Sequence, residues 1–144
     1  MSDAYRIELR TVDGGPTALG SARAGAFTVV VDRPVAAGGR GLGFNGGHLF
    51  YLSIAACISN DLYRDAASRG IALRRVAVTV DGDFEGRGSV STPIDVDLEA
   101  AGDGPADDLQ ALLDEVDRIA EIPDTIRQGT EVRLRTRKVT GAFG

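Results

Sequence analysis

One cysteine, one histidine, one methionine and no tryptophan stand among the 144 residues of this chain. A single cysteine, Cys57, excludes a disulfide within the chain. With only His48 beside it, no zinc centre built on cysteine and histidine ligands can be assembled. Lysine is equally scarce, Lys138 standing alone against fifteen arginines. Acids outnumber bases by 21 to 16, for a formal charge of −5. Phosphate-backbone binding needs clustered positive charge, so no nucleic-acid partner is expected. No apolar run is long enough to cross a bilayer, and the opening MSDAYRIELR lacks the apolar core of a secretory signal. The expectation is a cytoplasmic protein with no membrane association. The remainder is ordinary for one globular domain, 1–144: 43% hydrophobic and 26% charged residues.

Alternating polarity predicts strands from Tyr5 to about Thr11 and over Phe27 to Asp32. A shorter strand, Ala18 to Ala22, is expected to pair between them. Asp13-Gly14-Gly15-Pro16 is turn chemistry. The glycine-rich connection from Ala36 to Gly47 then leads into HLFYLSIAACISNDLYRDAASR, His48 to Arg69. This segment is apolar around nearly its whole circumference, and Gly70 supplies the left-handed stop expected just past a helix. Such a helix must be buried on most sides, at the centre of the fold or at a subunit interface. Strands follow over Val76–Val80 and Ile94–Leu98. An amphipathic helix then opens at Asp103-Gly104-Pro105, with Leu109, Leu112, Leu113, Val116 and Ile119 in its stripe. Pro123 is expected to stop or kink it, and Gly129 to end a further short turn. A last strand is predicted with Val132 and Leu134 inward and Arg133, Arg135 and Arg137 outward. Its arginines complement Asp95, Asp97 and Glu99, which makes those two strands expected neighbours. The order implies an α+β fold, antiparallel sheets with helices on one face.

Few residues can carry chemistry. Gly41-Leu42-Gly43-Phe44-Asn45-Gly46 matches G-x-G-x-x-G. However, eight residues separate it from the preceding strand, and no ribose-binding acid follows at the required distance. A loop needing positive φ and a close approach to the helix accounts for it better. On a helix, Ser53, Asn60, Asp61 and Arg64 share the face of Cys57. A polar stripe beside the only thiol is what a small reactive pocket needs, although Cys57 between alanines also suits plain burial. Arg64 can pair with Asp61. His48 lies about two and a half turns from Cys57, near the opposite azimuth, which is poor geometry for a pair within one chain. The alternating acids Asp81, Asp83, Asp95, Asp97 and Glu99 are read as a solvated strand face.

The segment Asn45-Gly46-Gly47-His48-Leu49-Phe50 through Ala55-Ala56-Cys57 resembles the OsmC/Ohr family (osmotically inducible protein C and organic hydroperoxide resistance proteins). The family pattern is N-P-E-x-L-F/L followed by A/G-C on a long central helix. Val31-Asp32-Arg33-Pro34, Gly38-Gly39 and the Val76-Ala77-Val78-Thr79-Val80 strand also fit. The resemblance implies an intertwined homodimer with the long helices buried at its centre. It also implies a peroxide-reacting thiol at Cys57, whose sulfenic acid a second cysteine normally resolves. This chain has Gly46 and Gly47 in place of the proline and glutamate. No arginine follows Gly14-Gly15, and no cysteine lies near Ile122-Pro123. The implied function is reduction of organic hydroperoxides through Cys57 in one-Cys mode with an external thiol reductant. The alternatives are a dimer-interface pocket that binds or transforms a small apolar molecule, and a dimer without catalysis. Arg40, Phe44, His48, Asn60 and Asp61 are the expected substrate contacts, with Arg23 a further arginine able to approach the thiol. No cofactor and no metal are expected.

Overall fold

A computed structural model of the chain describes residues 5–141. Strands β1 (Ile7–Thr11), β2 (Ala18–Ala22) and β3 (Phe27–Val31) are followed by the 23-residue helix α1 (Gly46–Ser68). Strands β4 (Ala72–Asp81) and β5 (Asp95–Asp103) and helices α2 (Ala106–Ile119) and α3 (Glu121–Gln128) complete the order. The two sheets, β1-β2-β3 and β4-β5, are antiparallel, as an α+β fold requires. Among the described residues no helix is long and apolar enough to cross a membrane. The chain clusters into two units, residues 5–56 with 77–99 and residues 57–76 with 100–141.

In the first unit the register runs from Ile7 opposite Ala22 to Thr11 opposite Ala18, and from Ala18 opposite Val31 to Ala22 opposite Phe27. Opposed residues share a face in an antiparallel ladder. Ile7, Leu9, Phe27, Val29 and Val31 therefore form one apolar face around Gly20, and Ile7 and Phe27 remain exposed on it. Asp13 and Gly14 adopt the left-handed φ values, 46° and 71°, that a tight turn at this end demands. Tyr51 of α1 hydrogen-bonds Ser91 in the β4–β5 connection (Oη···Oγ 2.8 Å), and its ring lies in an aromatic cluster with Phe50 and Phe84.

In the second unit Ile58, Leu62 and Ala66 are buried at four-residue spacing, as are Leu112, Val116 and Ala120. An ion pair from Arg69 to Glu115 ties the end of α1 to α2. Helix α1 ends as its glycine requires. Gly70 takes φ +67°, its N–H donates to Ala67 O (3.1 Å), and Ile71 N–H donates to Ala66 O (2.9 Å). Pro123 neither stops nor kinks α2. The break is at Ala120, which is extended, and Pro123 occupies the first turn of α3, where its missing N–H has no intrahelical partner to lose. Gly129 caps α3 in the left-handed conformation.

Two expectations are corrected. Residues 130–141 form no strand, and Val132 and Leu134, expected inward, are 95% and 68% exposed. The neighbour of β5 is β4 instead. Across β4 and β5 an ion pair joins Arg74 to Asp103, and Arg133 pairs locally with Glu131. For helix α1, expected at the centre of the fold or at a subunit interface, burial within the single chain follows one stripe. Ile54, Ile58, Leu62 and Ala66 are covered, whereas Leu52, Ala56, Asn60, Tyr63 and Ala67 are exposed.

The left-handed cap gives a direct test. Gly70→Ala should cost about 1 kcal/mol, because a Cβ disfavours positive φ. Urea unfolding should show the midpoint lowered with the slope unchanged, and Gly70→Asn should lose less.

Candidate functional site

Helix α1 starts without an acidic residue in its first turn. Asn45 caps it instead: its side-chain oxygen accepts the His48 N–H at 2.9 Å, and its own N–H donates to His48 Nδ1 at 3.0 Å. This is a reciprocal capping box with histidine in the place usually taken by glutamate or glutamine. With Nδ1 accepting, the neutral ring carries its proton on Nε2. His48 is thus committed to the start of the helix, edge-on to Phe44 at 5.9 Å between ring centroids. Both line an open groove of about 520 Å³ with Val29, Val30 and Leu42.

The loop between β3 and α1 is organised by Asp32. Its carboxylate is buried (2% exposed) and accepts four bonds. These come from Thr17 Oγ1 at 3.0 Å and from the backbone N–H groups of Arg33 (2.7 Å), Arg40 (3.3 Å) and Leu42 (3.3 Å). Burial alone would push this carboxyl up. The bonds from Arg33, Arg40, Leu42 and Thr17 outweigh burial and hold it below the ordinary carboxylate range. The close approach expected of this loop is made to β3 rather than to the helix. Gly43 lies against the Val30 carbonyl, leaving no room for a side chain, and Val31 and Phe44 form a parallel bridge.

Arg40 is positioned at both ends. While its N–H binds Asp32, its Nη1 reaches both oxygens of Asp13, at 2.8 and 3.0 Å. The hydrogen bond to Asp13 and then that residue's charge raise the guanidinium further above its ordinary value. The guanidinium rests where a side chain at Gly15 would be. Arg23 lies elsewhere, in the left-handed turn after β2 (φ +50°). It lines a separate hollow of about 670 Å³ with Tyr5, Ile7 and Phe27.

On the second unit's part of α1, Cys57 is half-buried and unpaired by any disulfide. Its thiol donates to Asp61 Oδ2 at 3.9 Å. The Asp61 side chain is 9% exposed, and its other oxygen, Oδ1, accepts Arg64 Nη1 at 2.9 Å. Arg64 Nε also donates to Asp65 at 3.0 Å. That bond, followed by the charge of Asp61, raises the Arg64 guanidinium above its ordinary value. The structure therefore brings Cys57, Asp61 and Arg64 together. Asn60 is exposed on the open face of the helix, and Ser53, predicted on the face of Cys57, turns its hydroxyl to the Phe50 carbonyl at 2.6 Å. No group of three or more metal-ligating side chains occurs among the described residues. Asp32 and Asp13 were absent from the expected site. The available signal was an acid at a strand end followed by a loop of side-chain-poor residues rich in free N–H groups.

The family model that describes OsmC-like proteins matches residues 38–135. No curated protein sequence matches the chain. Among solved structures, an OsmC-like protein from Mycoplasma pneumoniae is 17% identical, with a TM-score of 0.72 over 90% of each chain. An organic hydroperoxide resistance protein OsmC from Legionella pneumophila is 20% identical, with a TM-score of 0.63 over 87% of this chain and 90% of that one. An organic hydroperoxide resistance protein from Elizabethkingia anophelis is 18% identical, with a TM-score of 0.64 over 90% and 91%. Identities this low carry the fold.

The Asp32 clamp implies a pH dependence of defined sign. A carboxyl held below its unfolded value contributes stability that is complete above about pH 4–5 and is lost as pH falls through the folded value. Asp32→Asn should therefore unfold at lower urea than the native protein near neutrality. The gap between the two midpoints should close as pH falls toward 3. A gap independent of pH would remove the ionised carboxylate from the account.

Proposed function

Because this chain belongs to the family of OsmC-like proteins, we propose that it reduces organic hydroperoxides through Cys57 in one-Cys mode, acting as a homodimer. Cys57 attacks the peroxide, and an external small thiol resolves the resulting sulfenic acid, since the chain has no second cysteine. The observation that carries this reading is the half-buried Cys57 on the long apolar helix, hydrogen-bonded to an acid that is itself held by an arginine. Two structural neighbours are named as organic hydroperoxide resistance proteins, which supports the same chemistry.

Homodimerisation is supported by the exposed stripe of α1 and by Ile7, Leu9 and Phe27 on the apolar face of β1-β2-β3, which stay exposed among the described residues. Contiguous apolar surface of this kind marks an interface. In this reading Arg40, Phe44, His48, Asn60 and Asp61 contact substrate. Phe44 and His48 contribute the apolar groove with Val29, Val30 and Leu42. The protein acts in the cytoplasm, needs no cofactor, and folds as one domain.

The test is consumption of cumene hydroperoxide with a dithiol reductant, comparing the native protein with Cys57→Ser. Turnover by the native protein and none above background by the variant is the expected result. Equal rates in the two would overturn the reading and turn attention to a ligand of the apolar groove.

A further inference from the structure

Four residues after Cys57, α1 places a carboxylate that is almost completely buried and held at both oxygens. Arg64 Nη1 fixes Asp61 Oδ1 at 2.9 Å, and this leaves Oδ2 facing Cys57 Sγ at 3.9 Å. Asp61 is 6% exposed, so water competes little for its oxygens. Arg64 also binds Asp65, which prevents the guanidinium from swinging away. Arg64 has a second effect. It balances the carboxylate's charge, which makes an anion tolerable at this depth.

Building on the peroxide reading, we propose that Asp61 is the acid–base catalyst of the Cys57 reaction. The thiol proton moves from Sγ to Asp61 Oδ2. The thiolate then attacks the terminal oxygen of the hydroperoxide, and an S–O bond forms as the O–O bond breaks. The hydroperoxide's own proton stays on the transferred oxygen, giving the sulfenic acid. The proton held on Asp61 passes to the departing alkoxide, which leaves as an alcohol. Sulfur is oxidised by two electrons and the peroxide is reduced by two. One external thiol then displaces water to form a mixed disulfide, and a second releases Cys57 as the thiol. Asp61 touches the reacting sulfur and returns to its starting state.

The test compares two reactions of the single cysteine in the native protein and in Asp61→Asn. Oxidation by cumene hydroperoxide, read as dimedone-trapped sulfenic acid by mass spectrometry, depends on proton delivery to the leaving oxygen. Alkylation by iodoacetamide needs only the thiolate. Removing the base should slow oxidation by about 100-fold, within the range for one acid–base group. The same change removes a negative charge beside sulfur, so alkylation at pH 7 should quicken. A packing defect would move both rates in the same direction. Circular dichroism checks the fold, and if Asn is not tolerated, Asp61→Glu against Asp61→Gln makes the same comparison. Oxidation at equal rates in the native protein and the variant overturns the role of Asp61 alone. No oxidation of Cys57 in the native protein overturns the peroxide reading and this role with it.

Discussion

A helix of 23 residues is about 35 Å long, and α1 carries apolar side chains around most of its circumference. The stripe Ile54, Ile58, Leu62, Ala66 is buried because four-residue spacing keeps it on one side. The complementary stripe leaves Leu52 and Tyr63 nearly half exposed among the described residues. The same exposure appears on β1-β2-β3, whose apolar face presents Ile7 and Phe27 outward. It also appears in residues 130–141, where apolar and basic residues alternate without a ladder to join. A second copy of the chain is the cover that the proposed function calls for, since a twofold axis would match one exposed stripe to another.

The β3–α1 connection closes through polar groups rather than bulk. The β3–α1 loop is nearly devoid of large side chains, and ordering its glycines costs more backbone entropy than ordering other residues. The Asp32 carboxylate offsets that cost by gathering three backbone N–H groups and the Thr17 hydroxyl in one place. Arg40 follows from the same clamp. With its backbone held by Asp32, its side chain spans to Asp13 and settles over Gly15. A guanidinium therefore stands at the Gly14-Gly15 turn although no arginine follows that turn in sequence.

Signals confined to one element were legible in the sequence. Helix α1, its Gly70 stop, the three N-terminal strands and the stripe of α2 all follow from periodicity and caps that need no partner. The Asp61–Arg64 pair was legible for the same reason, since helical spacing alone brings those side chains together. What failed depended on distant segments. The C-terminal alternation reads as a strand, but alternation specifies only a face, and pairing requires an edge that this chain offers to β4 instead. His48 was correctly separated from Cys57 by azimuth, yet its place in a capping box was missed because histidine rarely takes that position. Asp32 was missed as a clamp because three of its four partners are backbone N–H groups, which leave little trace in residue identity.

The departures from the OsmC/Ohr pattern share one electrostatic direction. The helix start has Gly47 in place of a carboxylate, and His48, which is uncharged while Nδ1 accepts, closes the cap. The acid nearest to Cys57 in sequence on α1 is instead Asp61, one turn after the thiol rather than two to three turns before it. An adjacent cation increases the amount of thiolate, whereas an adjacent carboxylate transfers protons and opposes that accumulation. Arg64 binds two acids and does not hydrogen-bond the sulfur, so the cation acts on the base rather than on the nucleophile. In the proposed reaction the thiol passes its proton to Asp61 for delivery to the leaving oxygen. It also has no neighbouring cysteine for its sulfenic acid to trap. Both features leave resolution to a thiol from outside the chain.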